Sequence, residues 1–233
     1  MLKIEKTSVY GWESAIRGMR NPFNSWNRSD SNFSCKNCDG CYYIDTAHTE
    51  KRLGVVDNWC EHTALRIGEN DLALMKKLAK AGSDHAKFLR MINVTCDITA
   101  PFYWWKEYDT YKIGTVANSC STMHKLHAKE FELADFSWDH LNERSIRALE
   151  AVIDELNYNR NAYIATKDKT YWHQMIQLLP TSYEQKRTVQ VNYQVLQNMY
   201  FARRNHKLDE WHTLCAWIET LPYFKEVCVQ CDI

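Results

Sequence analysis

PFYWWKEYDTYKIGTVANSCSTMH, Pro101 to His124, is the densest run of aromatic and polar side chains in the sequence. The chain on either side leads into it and away from it. Upstream, His85 to Thr99 reads as helix first and strand last, ending at Pro101. Glu69 to Ala81 is a helix, with Leu72, Met75, Leu78 and Ala79 on one face and Lys76, Lys77 and Lys80 on another. Ala81-Gly82-Ser83 makes the turn between them. Lys3 to Val9 alternates as a strand does, and Trp12, Ala15, Ile16 and Met19 recur at helical spacing. Asn21-Pro22 stops that helix, because proline restricts its predecessor and carries no N–H.

Downstream, Lys125 to Glu132 is a connector. A long helix is expected from Asn142 to about Lys167, striped by Ile146, Leu149, Val152, Ile153, Leu156 and Tyr163. Thr170 to Leu179 is a second helix, stopped by Pro180. Thr188 to Asn192 alternates like a strand. Val195 to Arg203 and Asp209 to Thr220 are helices, the last ended by Leu221-Pro222.

The chain has 233 residues, enough for one domain with a real core plus a small insertion. Hydrophobic residues make up 45% and aromatics 13%, which excludes general disorder. Only 7 Gly and 4 Pro argue against a many-turned β-sandwich. Lysine plus arginine, 29, equals aspartate plus glutamate, 29, so charge offers no case for duplex nucleic acid or an acidic membrane. No apolar run approaches the roughly 20 residues of a membrane span, and the N-terminus does not open as a signal peptide. The expected location is the cytoplasm.

Residues 25 to 68 differ in texture and read as an insertion in a single domain spanning 1–233. Cys35, Cys38 and Cys41 fall within CKNCDGC, where Gly40 eases the turn that aims backbone amides at thiolate sulfurs. In a reducing compartment such clustering points to metal, zinc ahead of an iron–sulfur cluster. Cys60, His62, Cys228 and Cys231 all qualify as the fourth ligand, and Cys60 completes the expected set. The bland reading is surface cysteines on a variable loop.

The central run resembles the signature of the flavin-dependent thymidylate synthases, R-H-R-x-x-S-x-N-E-x-S-x-R, led by A-P-x-x-x-x-R-Q. The lead falls on Ala100, Pro101, Lys106 and Glu107. The signature falls on Thr110-Tyr111-Lys112, Thr115, Ala117-Asn118, Cys120 and Thr122. A second block follows in family register: Leu179-Pro180, Asn192, Asn198 and Arg203. Spacing survives, but most signature residues are changed, as in a divergent member. The resemblance implies an α+β fold, a mixed or antiparallel sheet packed with long helices. It implies a homotetramer with sites between subunits.

The resemblance also implies a reaction: transfer of a methylene from methylenetetrahydrofolate to C5 of deoxyuridine monophosphate, with FAD reduced by NADPH. Positions implied for FAD are Tyr111, Lys112, Thr115 and Asn198. Those implied for the pyrimidine deoxynucleotide are Glu107, Asn118, Cys120, Ser121, Thr122 and Arg203. Lys112 keeps a charge where the family has arginine but loses the planar fork. Thr122 and Ile176 stand where the family has phosphate-side arginines, and Met91 where it has a flavin-side histidine. Two alternatives stay open: another flavin-dependent pyrimidine modification, and a non-catalytic nucleotide or flavin binder.

Other residues carry two readings each. Cys120 is either a nucleophile toward the pyrimidine or a small residue in a tight turn. Trp104 and Trp105 are core or subunit interface rather than a flavin wall. His124 and His127 read as a solvated face, and Tyr171-Trp172-His173 as amphipathic packing.

Overall fold

The computed structural model describes residues 2–32 and 65–229. The proposed metal ligands Cys35, Cys38, Cys41 and Cys60, together with His62 and Cys231, lie outside the described residues.

The chain opens with strand β1 (Lys3–Tyr10) and helix α1 (Trp12–Arg20), then α2 (Glu69–Lys80) and β2 (Asn93–Pro101). The 101–124 stretch becomes helix α3 (Phe102–Tyr108), a turn and strand β3 (Thr115–Ser119). Helices α4 (Glu143–Thr166) and α5 (Lys169–Leu178) follow, then β4 (Glu184–Asn192), α6 (Tyr193–Arg203) and α7 (Asp209–Ile218). The sheet order is β1-β2-β4-β3, so β3 is an edge strand. Inner strand β2 buries Val94, Cys96, Ile98 and Ala100. The helices expected at 12–19, 69–81, 142–167 and 170–179 are present within a residue or two at each end. Strand β4 begins at Glu184, four residues before the expected Thr188.

Two compact units are present. The first comprises Met1–Glu5, Cys96–Val189 and His206–Leu214. In it, α4 packs on α5 around Leu126, Phe131, Phe136, Leu149, Ile153, Leu156 and Met175. Local chemistry sets the helix bounds. The Asn142 side chain accepts from the Ser145 N–H at 3.0 Å, and Asp168 accepts from Thr170 at 2.9 Å. Lys167 ends α4 in the left-handed conformation, φ 59°. Trp104, Trp105 and Trp211 are fully buried, which settles the first two as core side chains. His127 departs from the expected solvated face: it is half-buried, its ring edge-on to Tyr163 at 5.0 Å. Trp172 and Ile176 pack against this core, and the Trp172 indole donates to the Met123 carbonyl at 2.9 Å.

The second unit comprises Lys6–Thr95, Gln190–Asn205 and Cys215–Ile233. Trp12 stands edge-on to Tyr193 at 5.3 Å, and Tyr193 to Phe224 at 5.4 Å. Gly11 starts α1 at φ 93°, and a Cβ there would lie 2.0 Å from the Met91 carbonyl oxygen, so no other residue fits. Arg20 and Asp71 form a buried ion pair at 2.6 Å. The second Asp71 oxygen accepts from the Ser29 and Ser31 hydroxyls at 2.8 and 2.6 Å and from the Asp30 and Ser31 N–H groups, each at 3.1 Å. Burial works to raise the Asp71 pKa, but the hydrogen bonds from Ser31, Ser29 and Arg20 prevail and hold it below the usual carboxylate range. Asn32 and Arg66 pair as an antiparallel bridge. Both ends of the 25–68 stretch are therefore bound into this unit.

Candidate functional site

The first unit holds the signature positions on α3, the turn after it and β3. Two side chains of β4 fix this segment. The Trp105 indole donates to the Gln185 carbonyl at 2.9 Å. The Gln185 amide donates to the Cys120 carbonyl at 2.7 Å and accepts from Arg187 Nε at 2.9 Å. Arg187 Nη1 donates to Asp109 at 2.8 Å, and its guanidinium covers the Trp105 ring at 4.1 Å. The segment is thus held at Asp109 and at Cys120.

A second cluster forms around Glu107. Its Oε2 accepts from the Trp211 indole and lies against His206 Nε2, each at 3.1 Å. The Leu208 N–H donates to His206 Nδ1 at 3.1 Å, so the neutral ring carries its proton on Nε2 and donates it to Glu107. Tyr111 packs near Trp211, and the Thr115 hydroxyl donates to the Tyr111 carbonyl. Close by in sequence, the Tyr103 hydroxyl donates to Glu210 and contacts Ser137. Burial first, and the Glu210 carboxylate second, push the Tyr103 phenol above its usual range.

Lys112, Asn118 and Ser121 are exposed, and Thr122 is half-buried. The Ser121 hydroxyl accepts from the His124 N–H at 2.9 Å, a local turn. Cys120 is the exposed thiol among the described cysteines. Its backbone N–H donates to the Lys186 carbonyl at 2.9 Å, and no base hydrogen-bonds its sulfur among the described residues. Burial, with Asp97 adding to it, pushes the Cys96 thiol up to about 12, which disqualifies it as a nucleophile.

Asn198 and Arg203 belong to the second unit, on α6. Asn192 caps this helix, its side chain accepting from the Val195 N–H at 3.0 Å. Asn198 is exposed, and Arg203 is half-buried in the last turn. Cys228 is buried in the same unit, its carbonyl accepting from Gln197 at 3.0 Å. Among the described residues, no cluster of three His, Cys, Asp or Glu side chains is arranged to hold a metal. Nor is any described helix long and apolar enough to cross a membrane.

Gln185 and Arg187 carry much of this geometry and have no role in the sequence reading. The spacing of Gln185 and Arg187, two apart on one strand face, was the available signal.

No protein-family model matches this chain, and no curated protein matches it. Its structure is similar to two crystal structures of thymidylate synthase X from Helicobacter pylori. One, with FAD and dUMP, has a TM-score of 0.63 at 17% identity and covers 99% of each chain. The other, described as flavin-dependent thymidylate synthase complexed with FAD and dUMP, has a TM-score of 0.63 at 17% identity, over 98% of this chain and 99% of that one. The likeness shows the fold: α+β, an antiparallel sheet and long helices.

Proposed function

We propose that this chain is a flavin-dependent thymidylate synthase-like enzyme that modifies C5 of a pyrimidine deoxynucleotide. Support comes from end-to-end structural likeness to such a synthase, combined with signature spacing on a segment braced by Gln185 and Arg187. The substrate is deoxyuridine monophosphate, with methylenetetrahydrofolate and NADPH as co-substrates and a homotetramer as the working form.

The donor chemistry suits a flavin dinucleotide. Lys112 is an exposed cation, and Asn198 is an exposed amide on a well-capped helix. In this reading Lys112, Asn198, Tyr111 and Thr115 contact FAD. Arg203, Glu107, Asn118, Cys120, Ser121 and Thr122 contact the nucleotide. Glu107, anchored by two ring N–H groups, is positioned to accept from an N–H on the pyrimidine edge. FAD bound here and reduced by NADPH would supply the hydride; the protein's contribution is orientation and electrostatics. The zinc assignment on Cys35, Cys38, Cys41 and Cys60, within an insertion at 25–68, is part of the same proposal.

One observation favours a second reading. Lys112 is the sole cation between Thr110 and Thr122. A signature so depleted suits a binder that has lost turnover, or a different flavin-dependent modifier. Growth of a thymidine auxotroph expressing the chain tests the synthase reading. Turnover of any deoxyuridine nucleotide with reduced flavin separates enzyme from binder. A colourless protein whose FAD additions are never quenched would sink both flavin readings.

A further inference from the structure

The second unit contains a cleft of about 760 Å³ between residues 20–28 and helix α2. That volume lies in the range of small-molecule sites, about 300–1,000 Å³. Its lining includes Arg20, Arg28 and Lys77 with the amides of Asn24 and Asn27 and, among the described residues, no carboxylate. Phe23 lines it too and is 52% exposed. In a chain whose charges sum to zero, this is a local concentration of cations.

The three cations differ. Arg20 is 3% exposed, with Nε on Asp71 at 2.6 Å and Nη1 on the Ser25 carbonyl and hydroxyl at 3.2 and 3.3 Å. Asp71 offsets its charge. Its Nη2 is buried and has no partner among the described residues. Buried guanidinium N–H groups are rarely left so, because the lost hydration is not replaced. Arg28 and Lys77 are exposed and without an ion-pair partner among the described residues, so the cleft carries their net positive charge. Charges of one sign in a concave wall raise the local concentration of a counter-ion.

We propose that this cleft binds a phosphate-bearing ligand of nucleotide size. Arg28 and Lys77 take the phosphates, the Asn24 and Asn27 amides take sugar or ring polar atoms, and Phe23 takes a ring face. The inference rests on residues outside the signature and stands or falls independently of thymidylate chemistry.

The test is calorimetric titration of the full chain with ADP and with inorganic pyrophosphate, alongside an Arg28→Ala/Lys77→Ala double variant. Both substitutions are at exposed positions, so the variant should melt like the parent. The expected result is saturable binding of both probes, weakened at least tenfold in the double variant, since each charged hydrogen bond to phosphate carries at least that much. FAD binding, measured on the same two proteins, should not differ. Absence of saturable binding overturns the proposal, as does equal affinity in the double variant. Displacement of ADP by FAD that is unchanged in the double variant also overturns it, by assigning the ADP to a flavin site. A chain that binds ADP here yet never binds FAD or deoxyuridine monophosphate defeats the synthase reading alone.

Discussion

The Arg187 guanidinium lies 4.1 Å from the centre of the Trp105 ring, and Trp105 in turn donates its indole N–H to the strand that carries Arg187. Each residue thus holds the other's element: helix α3 is fixed to β4 by a stacked cation and by a hydrogen bond. With Gln185 reaching Cys120, the pair makes one braced segment of residues 105 to 120.

Arg187→Ala should therefore cost about 1–3 kcal/mol, from a lost cation–π contact and two charged hydrogen bonds. Arg187→Lys should recover little of it, because an ammonium has no planar fork to serve Gln185 and Asp109 together. Urea unfolding measures both. A loss under about 0.5 kcal/mol in Arg187→Ala, the range of ordinary surface substitutions, would refute the brace.

Asp71→Ala should cost about 3–5 kcal/mol, since it leaves Arg20 charged and buried. Acid should reproduce part of that loss. The folded pKa of Asp71 is depressed, so its contribution is complete above the ordinary carboxylate value of about 3.9 and disappears as pH falls through the lower, folded value. Stability of the parent minus that of Asp71→Asn should shrink as pH is lowered below about 4. A difference independent of pH down to acid unfolding would contradict the linkage.

Glu107→Ala should cost about 1–3 kcal/mol by stranding the donor of the buried Trp211 indole. Glu107→Gln keeps one acceptor oxygen, which can stand where Oε2 meets both rings, but loses the charge, and should recover part of the loss. Equal stability of all three proteins would mean that the carboxylate is not anchored as described.

Arg203→Ala distinguishes nucleotide binding from a helix-end effect. If Arg203 binds deoxyuridine monophosphate, the variant melts like the parent and loses the ligand-induced thermal shift. If it only complements the helix C-terminus, stability falls by about 0.3–1 kcal/mol and the shift stays.

The cysteine proposal predicts about one zinc per chain by elemental analysis, lost with Cys38→Ser while the core still melts cooperatively. Reaction of Cys35, Cys38, Cys41 and Cys60 with a thiol reagent under native conditions would speak against it.

Helix α4 was legible because its stripe, its Asn142 cap and its length are all local. The start of β4 was not: Glu184, Gln185, Lys186 and Arg187 look like a loop when read one by one. They enter the sheet because Gln185 and Arg187 find partners at Cys120 and Asp109, far away in sequence. Lys186 likewise pairs with Asp97 on β2 at 2.9 Å. The Arg20–Asp71 pair spans 51 positions, and no short window contains both residues. His127 read as surface because its partner Tyr163 lies a helix away. Local patterning carried the elements; the polar contacts that place the site are long-range.

The bridge between Asn32 and Arg66 is closed by two backbone hydrogen bonds, of 2.8 and 3.0 Å, beside the serines that Asp71 holds. Asn32 and Arg66 are thus joined at one hydrogen-bonded point. The entropy of closing a loop grows slowly with its length, each doubling costing only about 0.6 kcal/mol. Added residues between these two positions should therefore cost the fold little, which makes the junction a place where an engineer can graft a peptide.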